Sequence, residues 1–190
     1  MRHWLSLGLI VLVASFSGLA SAAECEGVSM ANSVNVGGAR LVLNGMGIRE
    51  ATLLKIDVYI AGLYLPAKTT NGNKAASDDV AKRLTLKFVR EVSKQDIVNA
   101  WKEGFDKTAG GNKQALKERI QKVNGWMANM KVGDELSFTY VPEKGLEVSV
   151  KGAVKGVVEG ADFMKAFFLI WLGNSPPNPG LKSGLLGGKC

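Results

Sequence analysis

Histidine is nearly absent: the chain of 190 residues has one, His3. It lies in an N-terminal stretch that reads as a cleavable leader. Without it no Ser-His-Asp triad, no Cys-His pair and no histidine-based metal site can be assembled. Cysteine is almost as scarce. Cys25 and Cys190 stand alone, with no CxxC spacing, so neither a redox motif nor a zinc cluster is indicated. There is no P-loop, no GxGxxG after a strand, no HExxH and no GxSxG. The motif-bearing enzyme classes lose their support, and nothing calls for a cofactor or a metal. A nucleic-acid surface needs basic residues clustered with exposed aromatics. Here the lysines are spread, and those between residues 113 and 122 lie opposite an apolar helical stripe, so no nucleic-acid partner is expected.

Long apolar runs are confined to the start. Arg2 and His3 precede an apolar run over residues 4–19, and Ala20, Ser21 and Ala22 then give the small residues that a signal peptidase reads. We read residues 1–22 as a signal peptide and residues 23–190 as a single domain with no membrane-spanning segment after cleavage. A periplasmic or secreted location is the expectation. Glu24 precedes Cys25, which is not a lipobox arrangement. Cleavage leaves 23 basic and 17 acidic side chains and a net charge of +6, which suits anionic ligands or surfaces. In an oxidising compartment Cys25 and Cys190 either close a disulfide around nearly the whole mature chain or remain two unrelated thiols.

Periodicity gives the elements. Residues 33–36 and 39–43 read as short strands about the Gly37-Gly38 turn, and Asn44, Gly45 and Gly47 as a second tight turn. Residues 53–65 form a long apolar strand ended by Pro66. Residues 67–79 are polar and read as a surface loop. Residues 83–89 alternate as a half-exposed strand, with Leu84, Leu86 and Phe88 on one face. Ser93 caps a helix, with Asp96 in capping-box position and Val92 and Ile97 as a hydrophobic staple. Asn112 caps a second helix with a Leu116, Ile120, Val123 and Met127 stripe. Three strands follow, over residues 135–141, 146–150 and 153–158, then a helix over residues 160–172 with Gly173 at its C′ position. Residues 181–186 form a last short turn or helix. The order predicts an α+β fold, a mainly antiparallel sheet with helices on one face.

Arg49, Tyr59 and Tyr64 are the candidate ligand-binding residues. An obligate cation beside an apolar strand offers a forked donor to a carboxylate, enolate or phenolate, and a tyrosine hydroxyl adds a further hydrogen bond. Spacing alone also fits a structural role, with Arg49 paired to Glu50 or Asp57 and the tyrosines merely packed. On pattern, that structural role is favoured.

Three segments shift this weighting: LNGMGIREATLLKIDVYIAGLYLP, VSKQDIVNAWKEGF and GVVEGADFMKAFFLIWLGNSPPNPGLKSGLLG. Through them the chain resembles the chalcone isomerase-like family, in its secreted bacterial branch. The resemblance implies an open-faced β-sandwich with a ligand cleft between sheet and helices, and Arg49 aimed at an anion. It also implies where chemistry departs. Ring-closing isomerases carry a threonine at the strand position held here by Tyr59, and a tyrosine–asparagine pair near the first helix. Residues 89–96 offer neither. Tyr59 instead resembles the tyrosine that joins the arginine on a carboxylate in fatty-acid-binding relatives. The leading expectation is a non-catalytic binder of a fatty acid or similar small amphipathic anion. The alternatives are an isomerase (an intramolecular lyase) acting on a chalcone or other enone, and a structural or interaction module with a vestigial pocket.

Overall fold

The structure is a computed structural model that describes residues 22–51 and 54–190. Residues 1–21 of the expected leader lie outside the described residues. Nine strands are described. β1 (Ala22–Cys25) and β2 (Val28–Ala31) form a small hairpin of their own. β3 (Ser33–Val36), β4 (Ala39–Ala51), β5 (Ile56–Leu65), β6 (Lys82–Phe88), β7 (Glu135–Val141), β8 (Gly145–Val150) and β9 (Ala153–Val158) build one sheet in sequence order. Every pairing is antiparallel. Five helices accompany it: α1 (Gly72–Ser77), α2 (Lys94–Thr108), α3 (Lys113–Trp126), α4 (Ala161–Leu172) and α5 (Pro179–Leu185). None of the described helices is long and apolar enough to cross a membrane.

The fold is α+β, a large antiparallel sheet with helices packed on one face, as the order of elements predicts. The alternation of each strand explains why. Leu84, Leu86 and Phe88 of β6, Leu136 and Phe138 of β7, and Leu146, Val148 and Val150 of β8 join one core with the inward faces of α2, α3 and α4. α4 is apolar nearly all round, with Phe163, Phe167 and Trp171 buried, because sheet and helices enclose it. A second, smaller core lies on the opposite face. There the β1–β2 hairpin covers Leu41, Leu43, Met46, Ile60 and Tyr64, with Met30 and Cys25 as its own contribution.

The Asn44–Gly47 turn is a correction. β4 runs unbroken for 13 residues through this stretch. Gly45 and Gly47 are there because α5 lies backbone-to-backbone on β4. A Cβ on Gly45 would strike the Gly184 carbonyl, and one on Gly47 the Leu181 carbonyl. β4 and β5 stay in register except at two irregularities: Asn44 is an extra residue on β4, and Val58 is extra on β5.

The supposed surface loop over residues 67–79 contains α1, capped by Asn71, whose side chain accepts from the Lys74 amide at 3.0 Å. At its other end the fully buried Lys82 donates to the Ala75 carbonyl at 2.8 Å and to the Asp78 carbonyl at 2.7 Å. Lys82 thereby satisfies carbonyls that a helix end leaves open.

Other boundaries moved less. β5 begins at Ile56, Leu53 lies outside the described residues, and Lys55 has a positive φ of 50°. Ser93 caps α2 as expected, accepting from the Asp96 amide at 3.1 Å. Asn112 makes no side-chain cap bond to α3, because a 3₁₀ turn over Gly110–Asn112 leads directly into that helix. Gly173 follows α4 with φ −76°, so no left-handed cap is used there.

Candidate functional site

Antiparallel register assembles the site. Arg49 on β4 is the cross-strand partner of Tyr59 on β5, and Tyr59 is the partner of Phe88 on β6. Directly opposite residues project to the same face of a sheet, so Arg49, Tyr59 and Phe88 form a row on the helix-covered side. The neighbouring row runs from Gly47 through Ala61 and Leu86 to Leu136. One row carries the polar groups, and the next is wholly apolar.

A cavity of about 510 Å³ lies over these rows. Tyr59, Leu86, Phe88 and Leu136 form its floor; Ile97, Ala100, Trp101 and Gly104 of α2 and Ile170 and Trp171 of α4 form its roof and end wall. Its size falls within the range of small-molecule sites, and its inner lining is apolar and aromatic. The mouth is charged. Arg49 stands there half-buried, with Arg90, Glu91, Asp96, Glu103 and Lys107 exposed around it and Ser175 and Pro177 beside them. Gly104 fixes how closely the roof closes, since a Cβ there would come within 2.8 Å of Ile170 Cγ2.

Arg49 does not form the ion pair with Glu50 or Asp57 that spacing alone favours. Among the described residues its guanidinium makes no salt bridge, and its hydrogen bond goes to the Glu50 main-chain carbonyl through Nη1. A guanidinium has five N–H donors, and the described bond to the Glu50 carbonyl uses one of its terminal nitrogens. Tyr59 is held edge-on by Phe88, ring centroids 5.7 Å apart. Its hydroxyl accepts a hydrogen bond from Trp171 Nε1 at 3.0 Å. Burial pushes the Tyr59 hydroxyl up to about 12, against the smaller opposing effects of the Trp171 hydrogen bond and the Arg49 charge. The phenol is protonated at physiological pH.

Tyr64 is not part of this arrangement. It lies on the opposite face of β5, buried in the hairpin-covered core with Ile60 and Leu43. It lies five positions beyond Tyr59, an odd offset, and the two-residue period of a strand sends them to opposite sides. Cys25 and Cys190 are bonded to each other, with Cα atoms 5.7 Å apart, and neither lines the cavity. Trp171 is the site residue that sequence reasoning missed. It sits in the IWLG segment, but helical periodicity marks it only as one more buried aromatic.

A family model described as chalcone isomerase-like matches residues 22–187. No curated protein matches the chain. Among solved structures, the crystal structure of an Arabidopsis thaliana fatty-acid binding protein superposes with a TM-score of 0.70 at 18% sequence identity, covering 87% of this chain and 96% of that one. At that identity the likeness speaks for the fold.

Proposed function

The chain belongs to the chalcone isomerase-like family, and on that premise we propose that it binds a fatty acid or a similar small amphipathic carboxylate without transforming it. The observation that carries this reading is the Arg49–Tyr59 pairing at the edge of an apolar cavity. A carboxylate placed between them receives a charge-assisted bond from the guanidinium and a second from the phenol. Its hydrocarbon tail then runs over the Leu86 and Leu136 row beneath Trp101 and Ile97. The similarity of fold to a protein that binds fatty acids supports the same assignment.

Binding without catalysis fits the residues at the mouth. The segment over residues 89–96 contributes Arg90, Glu91, Val92 and Asp96 to the lining, not the tyrosine–asparagine pair that the isomerase resemblance asks for. Placement of the mature chain in the periplasm or outside the cell belongs to the same proposal. It is supported by the apolar leader pattern and by the Cys25–Cys190 bond, which persists best in an oxidising compartment.

Denaturing mass spectrometry of solvent extracts from freshly purified protein tests the ligand. Fatty acids are expected in the wild-type extract and strongly depleted in that of Arg49→Ala. Absence of any co-purifying lipid, together with no heat of binding on titration with dodecanoate, would overturn the reading. Chalcone added to the same preparation is expected to lose its absorbance no faster than in buffer.

A further inference from the structure

Trp171 is 1% exposed and fixed by aromatic neighbours, with Phe167 5.1 Å and Phe138 6.3 Å away between ring centroids. Its indole N–H can only donate, and it donates to Tyr59 Oη at 3.0 Å. That bond occupies the accepting side of the phenol oxygen. Among the described residues no acceptor takes the Tyr59 hydroxyl proton, so the O–H is left to point at whatever enters the cavity. Arg49 on the same cross-strand row is likewise donor-only.

We propose that Trp171 is a positioning residue that fixes Tyr59 as a hydrogen-bond donor and so makes the site select for an acceptor-only head group, a carboxylate, over an alcohol or amine of the same chain length. The inference rests on the amphipathic-anion reading of the cavity and deepens it. Without the indole N–H, the phenol is free to turn and accept. The O–H of an alcohol or the N–H of an ammonium then finds at Tyr59 an acceptor that the indole-bonded phenol denies it. Buried polar groups discriminate strongly because a mismatched partner leaves one of them unpaired. The raised ionisation of the phenol agrees with this, since Tyr59 keeps the proton it has to donate.

The test is calorimetric titration of dodecanoate, dodecan-1-ol and dodecylammonium into wild-type protein, Trp171→Phe, Tyr59→Phe and the double variant, with thermal melts confirming that each is folded. Trp171→Phe is expected to lower the preference for dodecanoate over the alcohol by about threefold to tenfold, the worth of one hydrogen bond. In the Tyr59→Phe background the same change is expected to have no further effect, because Trp171 acts through the phenol. A preference unchanged by Trp171→Phe, or lowered equally in both backgrounds, would overturn the proposal while leaving the binding reading intact. Should Trp171→Phe fail to fold, Tyr59→Phe alone decides, since an undiminished preference in that variant also overturns it. If wild-type protein binds none of the three probes, the binding reading itself is gone and the inference with it.

Discussion

Arg49 and Tyr59 face one another across the β4–β5 ladder, with side chains on the helix-covered face of the sheet and ten residues apart in sequence. The guanidinium is bonded to a main-chain carbonyl and the phenol to an indole, so neither is neutralised by a carboxylate among the described residues. Arg49→Ala is therefore expected to weaken dodecanoate binding by about tenfold to a hundredfold, the range for a hydrogen bond to a charged group. Its melting temperature should stay within about 2 °C of wild type, because the acceptor it is described to lose, the Glu50 carbonyl, is only half-buried. Calorimetric titration and thermal melts check both halves.

Gly47→Ala is expected to act in the opposite sense, on the scaffold first. The new methyl would meet the Leu181 carbonyl, and since the atoms in its way are backbone, the shift it forces is costly. Overpacking of this kind costs about 1–3 kcal/mol, which in a domain of this size lowers the melting temperature by about 3–10 °C. An unchanged melt would mean that α5 does not rest on β4.

Lys82 gives a pH signature. Burial pulls its ammonium down to about 8 from 10.5, only partly offset by the Asp78 and Asp79 carboxylates. The unfolded chain thus holds this proton more tightly than the folded one. The contribution is fully present above the unfolded value near 10.5 and is lost as pH falls through the folded value near 8. Tyrosines complicate the upper end, since Tyr59 and Tyr140 are raised to about 12 and oppose the trend above pH 10. The clean measurement is the difference between wild type and Lys82→Met in urea unfolding at pH 7.5 and pH 10. Wild type should gain up to about 3 kcal/mol on the variant over that interval.

Breaking the Cys25–Cys190 bond is expected to destabilise without remodelling the site. The bond closes a sequence separation of 165 residues, for which chain-entropy models give about 5 kcal/mol. Cys25→Ser should melt about 10–20 °C lower. Dodecanoate affinity, measured well below that melt, should be retained.

Much of the fold is legible in the sequence where one signal dominates. β7, β8 and β9 fall within a residue of the expected meander because turn residues bound all three, and β7 and β8 also alternate. The Ser93 cap is visible for the same reason. The stretch from Asn44 to Gly47 is not, because glycine serves two purposes with one letter: it permits a positive φ, and it admits a neighbouring backbone. Only the docked helix distinguishes them. α1 is hidden because six residues carry too little periodicity to separate from a polar loop. At the site, Arg49 and Tyr59 are suggested by chemistry and the family resemblance, but their registration across the ladder is a property of pairing. Tyr64 shows the reverse. Its odd spacing from Tyr59 already separates the two, and counting along the strand would have excluded it.

The extra residue at Asn44 decides more than a local kink. Before it, odd-numbered positions of β4 look toward the hairpin, as Leu41 and Leu43 do; after it, even-numbered ones do, as Met46 and Ile48 show. Arg49 is odd. In an uninterrupted ladder that count would carry it to the hairpin side, away from Tyr59 and the cavity. Asn44 is anchored to make the change of phase, its side-chain amide donating to the Leu185 carbonyl at 2.7 Å and its oxygen accepting from the Thr69 amide at 2.7 Å. The side of the sheet on which Arg49 stands is thus settled five residues upstream, by an inserted asparagine that is not among the residues lining the cavity.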